Sequence, residues 1–280
     1  MAEISAADVA ALRKATGAGM MDCKKALNET DGDPEAAAEW LRKKGLSGSK
    51  RDERNATDGA IDVMVEGGVG ALVELTAETD FVAKGADFTG TVAALTRLAL
   101  DEGKEELVEL EINGEPVGEH VTQLAARLGE NVALGRVVVF ESADGVLDGY
   151  KHVQNGRGTI GVLVEIAGVD QGDSRAHEVA HDLALHIASA APRYLARDDV
   201  PADVVAKERE VFEELSRNEG KPENALPKIV EGRLNGFYKD VVLLEQPFVR
   251  DPKTTIGKLV EGLGSGAAVR RFARVKIGED

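Results

Sequence analysis

Cysteine is almost missing from this chain. Cys23 stands alone among 280 residues, so no intrachain disulfide can form, and a reducing compartment suits it. Aromatic residues are scarce at 4%, which makes any aromatic outside a core conspicuous. Positive charge is in deficit. Thirty-four Lys and Arg face 50 Asp and Glu, a formal net charge of -16, and a surface this acidic repels the phosphates of nucleic acid. No apolar run approaches the roughly 18 residues that span a bilayer. The opening stretch "MAEISAADVAALRK" has neither the basic start nor the apolar centre of a secretory signal. These absences lead to the expectation of a soluble cytoplasmic protein with no membrane and no direct nucleic-acid partner. Apolar residues are not lacking. At 43% they exclude a disordered chain, and the length is ample for a core.

The first 46 residues read as a module of three short helices. Ser5 is placed to cap the first, which carries Val9, Leu12 and Ala15 at helical spacing. "TGAG" (16–19) interrupts it, and a second helix covers roughly residues 21–27. Asp33 then caps a third helix with Pro34 in its first position and Gly45 as its stop. The expected core is Leu12, Met20, Cys23, Ala26, Leu27, Ala37 and Leu41, with Cys23 as a buried small apolar residue rather than a reactive thiol. A polar stretch at 47–57 reads as a linker.

The middle of the chain repeats itself. "DGAIDVMVEGGVGALVEL" (58–75) resembles "DGYKHVQNGRGTIGVLVEI" (148–166). Each is an extended run, a turn signal (Gly67-Gly68 or Asn155-Gly156) and a second extended run, followed by a helical pattern. This predicts an α+β fold with two related core subdomains, at 58–147 and at 148–200 continued by 244–280. The last part is expected to supply a helix and a terminal strand. Between its two parts, 201–243 reads as a helical hairpin around "KPENALP". Its apolar positions Val205, Val211, Phe212, Leu215, Ile229, Leu234 and Phe237 suit a projecting coiled-coil arm, and also two helices lying on the core.

Three motifs bear on chemistry. "HEVAH" (177–181) has the H-E-x-x-H pattern of zinc proteases, with Glu178 between two histidines one helical turn apart. The extended motif's third histidine and its glycine are absent, and His177 and His181 lie off the apolar face. Solvated helix histidines are the better reading, and a zinc hydrolase the runner-up. "GRGTIG" (156–161) matches a dinucleotide fingerprint, but it leads into a strand where that motif must open a helix, so it reads as a glycine-rich hairpin turn. No P-loop and no G-x-S-x-G is present. Against these stands "ETDFVAKGADF" (78–88), which places Phe81 and Val82 in a connection between strand and helix. The second repeat has "VDQGDS" there and no aromatic, so closing the connection does not require Phe81. Two readings are open: a protein-binding hot spot, with Asp80 pairing to a partner's donors or approaching its metal site, or an aromatic folded back over its own helix.

"LRKATGAGMMDCKKAL" (12–27) and "ELTAETDFVAK" (74–84) resemble the two signature segments of the elongation factor Ts family. "GENV" (129–132), "YKH" (150–152), "LALHIASAAP" (183–192), "VEGRL" (230–234) and "EQPFV" (245–249) are similar to that family as well, in its order. The resemblance implies a three-helix module like ubiquitin-associated domains, two core subdomains and a protruding coiled coil. It also implies guanine-nucleotide exchange on elongation factor Tu. Thr79, Asp80, Phe81 and Val82 would enter that partner's G domain, with Phe81 wedged between two helices. The magnesium and phosphate sites are thereby disturbed, GDP leaves and GTP enters. The N-terminal module would dock on the same G domain, the second core subdomain would grip another domain of the partner, and His152 would be a secondary contact. Such a protein has no catalytic residue, metal, cofactor or small-molecule substrate of its own. The chain departs from its relatives at Thr76-Ala77, where Asn-Cys is frequent, and at "VKIGED", after which some relatives continue into another helix.

Overall fold

The computed structural model describes residues 4–16, 18–44 and 56–279. Gly45 and most of the expected linker lie outside them. Three helices come first: α1 (Ala6–Thr16), α2 (Met20–Glu29) and α3 (Pro34–Lys43). Ser5 and Asp8 cap α1 reciprocally, each side chain taking the other's backbone N–H, at 2.9 and 3.2 Å. Asp33 caps α3 by accepting from the N–H groups of Glu35 and Ala36. Val9, Leu12, Ala18, Cys23, Ala26, Leu27, Ala37 and Leu41 form the small core, with Cys23 fully buried. One expectation is corrected. Met20 is 58% exposed, beside Met21 at 75%. As the first residue of α2 it lies one turn before the buried stripe of Cys23, Ala26 and Leu27 and stays outside their cluster.

Two three-stranded antiparallel sheets follow, so the chain is α+β. In the first, β2 (Val69–Ala77) lies between β1 (Asp58–Glu66) and β5 (Val132–Glu141). In the second, β7 (Arg157–Ala167) lies between β6 (Gly145–Gln154) and β10 (Ala268–Lys276). Both hairpin turns hold two successive residues at positive φ, Gly67-Gly68 and Asn155-Gly156, which is the backbone twist that a two-residue hairpin requires. The hairpins match the sequence repeat. The third strand of each sheet joins it from farther along the chain, and in the first half that strand, β5, carried no signal read from the sequence. A short hairpin, β3 (Glu111–Ile112) with β4 (Glu115–Pro116), and a second, β8 (Pro247–Phe248) with β9 (Asp251–Thr255), complete the strands.

The sheets stack face to face with helices outside. After β2 the chain makes a single helical turn, α4 (Asp80–Ala83), then α5 (Ala86–Glu102) and α6 (Val117–Leu128). Phe88, Val92, Leu95, Ala99 and Leu124 of α5 and α6 bury Ala71, Val73 and Leu75 of β2. On the far side α7 (Ser174–Ala190) and α10 (Ile256–Glu261) pack Val179, Leu183, Ile187, Ile256 and Val260 on Val162, Val164 and Ile166 of β7. Between the sheets lie Ile61, Leu72, Phe140, Leu147, Leu163 and Val275. The central strands are therefore buried on both faces, which is why "ALVEL" and "VLVEI" read as nearly continuous apolar runs.

Glycines let the sheets approach. A Cβ on Gly158 would overlap the carbonyl oxygen of Ile61, and one on Gly161 would lie 2.6 Å from the Ile61 Cγ2. The last two glycines of "GRGTIG" thus serve close packing of β7 on β1, and only Gly156 serves the turn. Polar links cross the same seam. Lys151 Nζ donates to Asp62 at 2.5 Å, and Arg157 bonds the Asp58 carboxylate and, at 2.6 Å, the Gly59 carbonyl.

Each "VE" of the repeat carries a buried glutamate. Glu74 and Glu165 face the inter-sheet layer, at 7% and 0% exposure. Beside each, the third strand bulges: one extra residue of β5 sits opposite Glu74, and one of β10 beside Glu165. The bulges bring arginine to the carboxylates. Glu74 accepts from the Arg136 backbone N–H at 3.1 Å, and Glu165 takes Arg270 and Arg271, one on each oxygen, at 2.7 Å. A buried carboxylate is tolerable when paired in this way.

Residues 202–241 form the helical hairpin, α8 (Ala202–Asn218) and α9 (Leu226–Val241). Leu226, Val230 and Leu234 are its buried seam. Val211 and Leu215, counted among its apolar positions from the sequence, are 56% and 43% exposed. The base is pinned where the Arg193 and Tyr194 N–H groups donate to the Val241 carbonyl.

Two stability outcomes follow. Gly158→Ala should destabilise the fold by about 1–3 kcal/mol through overpacking. Gly232→Ala, in α9 with open space around it, should stabilise by about 0.4–1 kcal/mol. Denaturant titration checks both. His186 is 1% exposed and hydrogen-bonded to Gln246 at 2.9 Å, and burial holds its imidazole below the ordinary 6.5. The unfolded chain therefore binds this proton first as pH falls. Its contribution is complete above 6.5 and is lost as pH drops from there toward the folded value. Thermal midpoints measured across that window should fall less steeply for His186→Gln than for the unaltered chain.

Candidate functional site: an exposed phenylalanine on a clasped turn

Strand β2 delivers the chain to α4 from the rigid centre of the first sheet. Ala83 is fully buried in the core under α5, and Val82 packs beside it. Lys84 N–H closes on the Asp80 carbonyl at 3.1 Å and Gly85 N–H on Val82 at 2.9 Å. With one side of the turn sunk in the core, Phe81 on the other side points outward and is 76% exposed. It does not fold back over its own helix. Lys84 Nζ lies 3.4 Å from an Asp80 carboxylate oxygen and 5.7 Å from the Phe81 ring centre. Both charges are well exposed, so the pair contributes at most about 1 kcal/mol and leaves Asp80 free to exchange partners.

Thr79 caps the turn. Its Oγ1 accepts from Val82 N–H at 3.4 Å and donates to Glu130 Oε1 at 2.6 Å, while its own N–H donates to Glu130 Oε2 at 3.1 Å. In return Asn131 N–H donates to Glu78 Oε1 at 2.9 Å. Glu130 follows Gly129, whose φ of 76° ends α6, and precedes β5. Two chain segments about fifty residues apart thus clasp each other just behind Phe81. Sequence reasoning singled out Thr79, Asp80, Phe81 and Val82 but not Glu130. "GENV" resembles a segment of the family, and nothing in its spacing says that it meets residue 79.

The structure brings those four residues together in one turn and leaves His152 elsewhere. His152 is exposed on β6, with Nδ1 3.1 Å from the Tyr150 hydroxyl. His177 and His181 are exposed on α7. The first bonds the Gln171 carbonyl at 2.8 Å, and the second lies 3.3 Å from Asp148, whose carboxyl is pushed above its usual range by burial, with His181 opposing. Among the described residues, no group of three or more His, Cys, Asp or Glu side chains is arranged to hold a metal ion. No helix among them is long and apolar enough to cross a membrane. A cleft of about 750 Å³ is lined by Arg136, Arg270, Arg271 and Arg274, but these guanidiniums are committed to Glu74, Asp144, Glu165 and Glu279.

Phe81 is thus an aromatic presented to solvent from a turn anchored in the core. The family model described as Elongation factor TS matches residues 78–279, beginning at the glutamate that opens this turn. The chain is 46% identical to the elongation factor Ts of Micrococcus luteus over 99% of its length and all of the relative's. It is 49% identical to that of a Nocardioides species, with the same coverage. The chain belongs to the elongation factor Ts family.

Because Phe81 makes little contact with the fold, Phe81→Ala should change stability by no more than about 0.5 kcal/mol. A ring packed over its helix would lose about 3–5 kcal/mol on the same truncation. Denaturant midpoints of the two proteins separate these cases.

Proposed function

We propose that this protein is a guanine-nucleotide exchange factor for elongation factor Tu, acting through protein–protein binding and not as an enzyme. The observation that carries the reading is Phe81, 76% exposed on a turn whose other side is sunk in the core. Thr79, Asp80, Phe81 and Val82 enter the partner's G domain as one rigid knuckle. The ring inserts between helices, and the disturbance reaches the partner's magnesium and phosphate sites. GDP is released and GTP rebinds. The site of action is the cytoplasm, and the protein needs no metal, cofactor or small-molecule substrate of its own.

The thermodynamic requirement is differential affinity. A factor that binds the nucleotide-free partner better than the nucleotide-bound one shifts the partner toward release. Linkage makes this reciprocal, so GDP weakens the complex by the same factor by which the complex weakens GDP. An inserted apolar ring meets the requirement because it and a bound magnesium–nucleotide compete for one packing arrangement. The remaining surface supplies affinity. In this reading the N-terminal module docks on the same G domain, where Met20 and Met21 present apolar area. The second core subdomain, including His152, contacts another domain of the partner, and the hairpin at 201–243 stands as a coiled-coil arm.

The test is release of labelled GDP from elongation factor Tu. Truncating a buried hot-spot aromatic costs about 2 kcal/mol or more, roughly 30-fold in rate. Phe81→Ala should therefore slow stimulated release by about that factor. A rate equal to that of the unaltered protein would remove the wedge from the mechanism.

A further inference from the structure

A helical turn of four residues has almost no stability of its own, since fixing the first turn of a helix is unfavourable in isolation. Phe81 nevertheless has to arrive in one orientation if its ring is to act as a wedge. Val82 and Ala83 hold the C-terminal side of the turn from below. Its N-terminal side is exposed at Thr79, Asp80 and Phe81, with no apolar anchor. What holds that side is Glu130. Both of its carboxylate oxygens are spent on Thr79, one on the hydroxyl at 2.6 Å and one on the backbone N–H at 3.1 Å. The first bond orients the hydroxyl so that its lone pair faces Val82 N–H. The Glu78–Asn131 bond runs in the opposite sense beside it and keeps the two segments in register. Hydrogen bonds from a backbone N–H and a hydroxyl to an ionised carboxylate are charge-assisted and short.

We propose that Glu130 is a positioning residue for exchange: through Thr79 it fixes the orientation of Phe81 and ties it to the junction of α6 and β5. In this role Glu130 acts on the partner through the knuckle. The proposal rests on the wedge reading of Phe81, and it adds a requirement the wedge alone does not carry. An exposed ring is not sufficient unless the cap of its turn is held from a segment about fifty residues away. Losing the clasp leaves the other contact surfaces untouched. The partner should still bind while the ring meets it in a spread of orientations, and ordering the ring is then left to the binding step.

The experiment is stimulated GDP release from elongation factor Tu as a function of factor concentration, on the full-length chain. Glu130→Ala should lower the saturating rate by roughly tenfold and leave the half-saturating concentration within about twofold of the unaltered protein. Glu130→Gln, which keeps an acceptor oxygen for Thr79, should recover most of the rate, a rescue that a general loss of fold would not give. In a Phe81→Ala background Glu130→Ala should add nothing, because its effect runs through the ring. The proposal is overturned, with the wedge intact, if Phe81→Ala is slow and Glu130→Ala exchanges normally. It is overturned likewise if the two losses multiply in the double variant, or if Glu130→Ala raises only the half-saturating concentration. If Phe81→Ala itself exchanges normally, the wedge reading fails and the proposal with it.

Discussion

The contact between β1 and β7 is what the rest of this molecule depends on. Two sheets, each covered by helices on one face, bury their other faces on each other, and the closest approach is at Ile61 over Gly158 and Gly161. A side chain at either glycine would separate the layers. Ile61, Leu72 and Leu163 would then lose their packing, and Asp62–Lys151 and Asp58–Arg157 would lose the geometry that lets partly buried charges pair. A single hydrophobic layer joins the halves, so a defect there is felt in both.

The candidate site inherits its rigidity from this arrangement. Strand β2 is the centre of its sheet, paired on both edges and buried on both faces, and α4 starts three residues after its end. Phe81 is held out by what surrounds it: a core residue two positions later, a capping threonine two positions earlier, and a carboxylate from the α6–β5 junction. An exposed apolar ring on a mobile loop would pay an ordering cost on binding that a fixed one avoids.

Charge follows the same division between halves. The chain is strongly acidic, yet two of its buried carboxylates, Glu74 and Glu165, sit at related places in the repeat, each beside a bulge that supplies arginine. Three arginines, Arg136, Arg270 and Arg271, serve these two carboxylates. Arg136, Arg270, Arg271 and Arg274 line a cleft, but each is paired with a carboxylate. The acidic excess is left for the solvent-facing surface.

Local physics made much of this legible beforehand. Ser5 and Asp33 mark helix starts because their side chains replace missing backbone partners. Gly67-Gly68 and Asn155-Gly156 mark hairpins because the turn requires positive φ. The period-2 runs of the repeat announce strands, and Phe81 stands out because its counterpart connection has no aromatic. These signals lie within a few residues of their consequences. What the sequence could not disclose depends on distant segments meeting. Met20 looked like core but stays outside the Cys23 cluster, and Val211 and Leu215 looked like parts of a seam that Leu226, Val230 and Leu234 supply. β5 is defined by its pairing with β2. Glycines 158 and 161 looked like a turn until Ile61 lay across them. Glu130 is one acidic residue among 50 Asp and Glu, and only the pairing of β2 with β5 brings it to Thr79. The sequence by itself determined the helices and hairpins that carry local signals, and the unusual place of Phe81, because those follow from neighbours along the chain. Tertiary structure alone decided what holds Phe81 in place, because that follows from neighbours in space.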